Sequence, residues 1–193
     1  MAEDKRKKIL AKAKQVIAKK GYTCASIKEI AKKAGVAQGT PYLYFKNKEE
    51  LFIELILSFE KDIDSVVKAA VNMDADFWGR IEYIIRNTAK YFMDDKMMMC
   101  ILKREMPEPL GIGRKGLGKI KEMRDIRTKK MQQIFADIKG NTELNKNFSD
   151  DEMGRVCMMV VFGMMKSIEH GEEPDPEAAA ELTIKCLKET LKR

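Results

Sequence analysis

From Ser26 to Phe45 the chain reads SIKEIAKKAGVAQGTPYLYF, and few folds accommodate that stretch. Ser26 with Glu29 three residues later is a capping box, in which the hydroxyl accepts from the Glu29 amide and the carboxylate reaches back to the serine N–H. Ile27, Ile30, Ala31 and Ala34 recur at helical spacing and give a short helix one apolar face. Gly35 follows at once, where a residue with positive φ ends a helix and turns the chain. A second short helix over about 38–45 is expected to carry Leu43, Tyr44 and Phe45 inward, with Gln38, Thr40 and Tyr42 facing out. Two short helices across a glycine-containing turn make a helix-turn-helix, whose second helix enters the DNA major groove.

The charge lies where this motif lies. Residues 1–48 hold 13 lysines and arginines against 3 acids, a surplus of ten in a chain whose net charge is +7. The remaining 145 residues hold 24 against 27, a small acidic excess. Neutralising phosphates is what makes nucleic-acid binding strong and salt-dependent, so the partition points to DNA. Of the four leading cations, Lys5, Arg6, Lys7 and Lys8, one or two are expected to contact backbone phosphates and the rest to be ordinary solvated charges.

The run GYTCASIKEIAKKAGVAQGTPYLYFKNKEEL, from Gly21 to Leu51, resembles the DNA-binding head of the TetR (tetracycline-repressor-like) family. The resemblance covers roughly the first quarter of the chain; beyond it only the helical layout is similar. It implies a DNA interface made by Arg6, Lys28, Gln38, Gly39, Thr40, Pro41, Tyr42, Lys46 and Lys48. Tyr42, Lys46 and Lys48 are expected on phosphates, Gln38 and Thr40 on base edges. Two residues depart from the family pattern. Ala37 stands where a Ser or Thr hydroxyl usually caps the recognition helix, a loss of about 1 kcal/mol. Pro41 lacks an N–H, which is harmless only in a first helical turn. Together they predict a recognition helix that starts a residue or two late, with Gly39 as its cap.

Read in order, the pattern is helical throughout. Residues 5–20 carry Ile9, Leu10, Ala13, Val16 and Ile17 inward, and Gly21 ends the helix. Asn47 with Glu50 caps a long helix to about Val71, with Leu51, Leu55, Phe59, Ile63 and Val66 in line. Further helices are expected over 76–94, 97–106, 116–139, 149–170 and 176–191. The fold expected is all-α: a three-helix head, residues 1–48, joined by the long helix to a helical bundle, residues 49–193, with about nine helices in all. The run VCMMVVFGMM, 156–165, is apolar nearly all round, so it needs cover on more than one side. The last helix supplies one cover, and a second copy of the chain supplies another as a four-helix bundle about a two-fold axis. Val160, Met164, Ile184, Leu187 and Leu191 are the candidates for that homodimer interface. If the family layout holds, the middle helices enclose a ligand cavity. Trp78, Tyr91, Met97, Met123, Phe135, Met159 and Phe162 are its candidate lining, suited to a small hydrophobic or aromatic effector.

Other chemistries are poorly supported. Gly111 to Lys119 spells both G-x-G-x-x-G and G-x-x-x-x-G-K, but Ile120 stands where a P-loop needs Ser or Thr, and KREMPEPL precedes it where a buried strand is needed. The single histidine, His170, suits a helix end and gathers no nucleophile or paired carboxylates, so no catalytic residues and no enzyme are expected. Cys24, Cys100, Cys157 and Cys186 are scattered with no metal-ligand or disulfide spacing, so no metal and no cofactor are expected. The charged N-terminus and the absence of a long apolar run fit a cytoplasmic protein without a membrane span. The reading is a ligand-responsive transcriptional regulator, a repressor that leaves a palindromic double-stranded operator when its effector binds. The alternative is an architectural protein that coats DNA without sequence preference.

Overall fold

The structure, a computed structural model, describes residues 2–105, 113–136, 147–170 and 175–191. Among them are eight α-helices, one 3-10 helix and no strand. The α-helices are α1 Ala2–Lys20, α2 Ile27–Ala34, α3 Lys48–Val71, α4 Phe77–Asp94, α5 Lys96–Glu105, α6 Arg114–Ala136, α7 Asp150–His170 and α8 Pro176–Leu191. The 3-10 helix is Thr40–Leu43, between α2 and α3. No described helix is long and apolar enough to cross a membrane.

Packing divides the chain into two compact units, residues 1–61 with 95–123, and residues 62–94 with 124–193. α5 therefore belongs to the same unit as the first three helices, and α3 contributes to both units, where a split at residue 48 was expected from the motif alone.

In the first unit Ile9, Ala13, Val16 and Ile17 of α1 pack with Ile27, Ile30, Ala31 and Ala34 of α2, all buried, while Leu10 stays half-buried. Gly21 closes α1 at φ 87°, its N–H reaching the Ile17 carbonyl at 2.8 Å. α1 also packs on α5. There Arg104 donates to the carbonyls of Ile17 and Ala18, an arginine at the carbonyl end of a helix, where its charge suits the dipole. Lys14 pairs with Asp95 across the same seam. Asn47 caps α3, accepting from Glu50 N at 2.8 Å, and the Glu50 carboxylate accepts from Lys46 N, one residue outside the cap.

The second unit is organised by α8, which packs on α4 and α7. Its core holds Phe77, Trp78, Ile81, Ile84, Ile85 and Ala89 of α4, with Met153, Cys157 and Met164 of α7 and Ala180, Ile184, Leu187 and Leu191 of α8. Ser149 and Glu152 form a reciprocal capping box on α7, Ser149 N donating to the carboxylate at 2.8 Å and Glu152 N to the hydroxyl at 3.3 Å. The Ser149 hydroxyl also donates to the Glu152 carboxylate, at 2.7 Å, and this bond, with that from Ser149 N, holds the carboxyl below its ordinary range. Burial pushes the Cys157 thiol up to about 12, so it stays protonated at ordinary pH.

Two expectations about apolar stripes fail here. Met164, Ile184, Leu187 and Leu191 are buried within the single chain and Val160 is half-buried, so the stripe assigned to a partner is the unit's own core. α4 and α7 both pack on α8, and the core they form together buries these side chains. Among the described residues, the large apolar side chains left exposed on α7 and α8 are Met159 at 72% and Leu182 at 57%. On α6, Ile126 is exposed where an inward position was expected.

Candidate nucleic-acid interface

α2 begins where the sequence indicates. Ser26 has extended backbone angles and its hydroxyl accepts from Glu29 N at 3.2 Å. The Glu29 carboxylate meets Lys20 Nζ at 2.9 Å. At the far end Gly35 takes φ 65°, ψ 38°; Val36 N reaches the Ala31 carbonyl at 3.1 Å and Gly35 N the Lys32 carbonyl at 3.2 Å. This is a Schellman closure, and a left-handed residue is needed in it.

The element that follows differs from the expected helix over 38–45. It is one 3-10 helix, Thr40–Leu43, with Gly39 at its N-cap position and no side-chain cap bond. Its start agrees with the late start read from Ala37 and Pro41. Thr40 N bonds Ala37 O at 2.9 Å, Tyr42 N bonds Gly39 O at 3.1 Å and Tyr44 N bonds Pro41 O at 3.0 Å, all three-residue steps. Ala37 offers no hydroxyl and Pro41 no N–H, so the four-residue ladder has neither its cap nor one of its donors.

The tighter winding changes which side chains face out. With three residues per turn, positions i and i+3 eclipse. Pro41 and Tyr44 form the inward line, the proline buried and the tyrosine half-buried, and Phe45 closes the core behind them. Leu43, expected inward, is 81% exposed, and Tyr42 beside it is 55% exposed. Gln38, Gly39, Lys46 and Lys28 are exposed and Thr40 is half-buried. Of the nine residues expected at the interface, these five with Tyr42 make six outside the inward-facing line, while Pro41 is buried and leaves the set. Pro41 in a first turn suits an α-helix as well, so the local sequence carried no signal that reassigns Leu43.

Two cations of the expected set are engaged within the head. Arg6 donates to Glu54 at 2.8 Å and stacks 5.2 Å from the centroid of the Phe45 ring, joining α1 to α3. Lys48 Nζ donates to the carbonyls of Tyr22, Thr23 and Ala25 at 3.0, 3.1 and 3.1 Å, and lies 4.6 Å from the Tyr22 ring centroid. All three ammonium donors thus hold the turn between α1 and α2. Lys48→Met is expected to lower stability by about 2 kcal/mol, since hydrogen bonds to a charged group are worth about 1.5–3 kcal/mol and this one is partly solvated. Chemical denaturation measures it. A variant as stable as its parent but weaker on DNA would return Lys48 to the phosphate-contacting set.

The remaining expected sites are scattered. Trp78 and Tyr91 belong to the second unit, where Trp78 is buried and Tyr91 donates to Asp62 at 3.0 Å. Met97 and Met123 belong to the first unit, Met97 being exposed. Met159 is exposed, and the side chains of Phe135 and Phe162 lie outside the described residues. A groove of about 330 Å³ between α4 and α8 is lined instead by Arg86, Ala89, Lys90, Met93, Asp94, Glu177 and Ala180. Gly113, of the glycine-rich decoy, donates its N–H to Glu49 at 2.8 Å just ahead of α6, so a carboxylate of the chain sits where a phosphate-binding loop would hold its ligand. Gly111 lies outside the described residues, and so does the segment before it from 106. Among the described residues no group of three His, Cys, Asp or Glu is placed to hold a metal ion.

Comparison with known proteins falls on the same stretch. Residues 9–55 match the model for bacterial regulatory proteins, tetR family. An HTH-type transcriptional regulator of Bacillus subtilis, YvdT, itself uncharacterized, is 40% identical over 84 residues, 44% of this chain and 43% of that protein. The fatty acid metabolism regulator protein of the same bacterium is 55% identical over 47 residues, 24% of each chain. The chain thus spans less than half the length of these relatives. Among solved structures, the fatty acid degradation regulator FadR from Bacillus halodurans superposes with a TM-score of 0.83 at 22% identity, over 95% of this chain and 94% of that one. FadR from Bacillus subtilis in complex with stearoyl-CoA superposes with a TM-score of 0.80 at 21% identity, over 93% and 96%. At such identities the structures share the fold.

Proposed function

We propose that this chain, a member of the tetR family of bacterial regulatory proteins, is a DNA-binding transcription regulator that represses from a palindromic operator and releases it when a small hydrophobic effector binds. Residues 1–48 read the DNA in this scheme, and residues 49–193 carry the effector and the dimer contact. The observation that carries the reading is the exposed group Lys28, Gln38, Tyr42 and Lys46, with half-buried Thr40 among them, on and beside a capped helix-turn-helix in a head with a surplus of ten positive charges. Two such heads in a dimer meet successive major grooves about 34–36 Å apart. The stearoyl-CoA held by the Bacillus subtilis neighbour makes long-chain acyl compounds the first effectors to try.

The test is a duplex enriched from a random library, with binding measured against excess random DNA. A regulator keeps the enriched duplex; an architectural protein loses it to the competitor. Lys46→Ala should weaken both DNAs alike and flatten the slope of log affinity on log salt by about one unit. Gln38→Ala should relax preference at one base pair, by about five- to a hundredfold against the wrong base. Both variants binding like the parent would mean the head docks by another surface.

A further inference from the structure

An exposed leucine on a surface is ordinary by itself. Leu43 stands apart because of its position. It occupies the last place of the 3-10 helix at 81% exposure, with exposed Tyr42 before it, and its neighbours Pro41 and Phe45 are buried. The three-residue winding puts Leu43 on the same line as Thr40, one turn away. That line therefore ends in an aliphatic side chain carried on a rigid turn, anchored by the proline and Phe45 behind it. Its side chain has no hydrogen-bonding atom, so it cannot recognise a phosphate, a base amide or a base carbonyl. In the major groove the apolar feature is the thymine C5-methyl, which marks the position and strand of an A·T pair.

We propose that Leu43 is a specificity-determining residue that reads a thymine methyl in the operator. The proposal rests on the DNA-reading function above and deepens it: recognition by this head combines polar contacts from Gln38 with an apolar contact from Leu43. Burying one methyl group against the leucine accounts for about a fourfold preference for thymine over a base that lacks it.

The experiment uses the full chain and the duplex it enriches from a random library. Each thymine of that duplex is replaced in turn by deoxyuridine, which differs only by the missing methyl. Wild type should lose about fourfold at one thymine per half-site. Leu43→Ala should bind the parent duplex more weakly and show no loss at that same deoxyuridine. Leu43→Met, which keeps an aliphatic reach, should keep the loss. Thermal unfolding of both variants should match wild type because the side chain is exposed. If wild type tolerates deoxyuridine at every position, or if Leu43→Ala keeps the full penalty, the inference is overturned while DNA reading stands. If no sequence is enriched at all, the proposed function fails and the inference fails with it.

Discussion

Leu182→Asp combined with Met159→Asp should turn a dimer into single chains and cut operator affinity at least a hundredfold. Both residues lie on the two helices expected to pair, and both keep most of their surface in contact with solvent, at 57% and 72%. The other apolar residues of the expected seam, Ile184, Leu187 and Leu191 on α8 and Met164 on α7, are already covered by the chain's own core. A charge at one of those would unfold the unit and say nothing about assembly. A charge at an exposed position usually changes stability by less than about 0.5 kcal/mol, so the loss reads as dissociation. The expected size follows from linkage: once one head is bound, the second binds at an effective concentration that multiplies affinity by about 10²–10⁴. Light scattering with anisotropy on the enriched duplex checks both parts. A double variant that remains dimeric, or an intact chain that is monomeric, sinks the assignment.

The elements were legible in the sequence to within a few residues. Ser26, Gly35, Asn47, Ser149 and Pro176 mark helix ends by chemistry that acts over three or four residues, so local sequence contains the information. What local sequence does not contain is which of two apolar neighbours a stripe will meet. Ile184, Leu187 and Leu191 have the spacing of an interface seam and of a core seam alike, and only the packing of α4 and α7 on α8 decides. The same holds for Lys48 and Arg6, whose charge suited a phosphate equally well. Tertiary closure put three carbonyls before Lys48, and Glu54 with the Phe45 face before Arg6. Leu43 is a different kind of error. Its reassignment depends on 3-10 rather than α winding, a difference of about 20° per residue that shifts the outward face within one turn.

The effector should stabilise the protein and empty the operator over the same concentration range. The second unit gives a reason to expect a ligand with a hydrogen-bond acceptor as well as an apolar body. Trp78 is buried among apolar side chains, and among the described residues nothing accepts from its Nε1–H. A buried donor left unpaired costs about 1–3 kcal/mol, and a ligand carbonyl reaching it recovers that cost. At a hundred times its Kd such a ligand stabilises by about 2.7 kcal/mol, which raises the melting temperature of a chain this size by roughly 5–10 °C. Coupling to DNA of about 1–3 kcal/mol then weakens operator binding by about five- to 150-fold. Acyl compounds of increasing chain length, tested with and without the carbonyl, should separate the apolar part of the response from the polar part. Trp78→Phe removes the N–H while keeping an aromatic ring, so it should shrink the melting shift for the carbonyl compounds alone. Should every stabilising compound leave operator affinity unchanged, binding and release are uncoupled and the regulatory signal enters by another route.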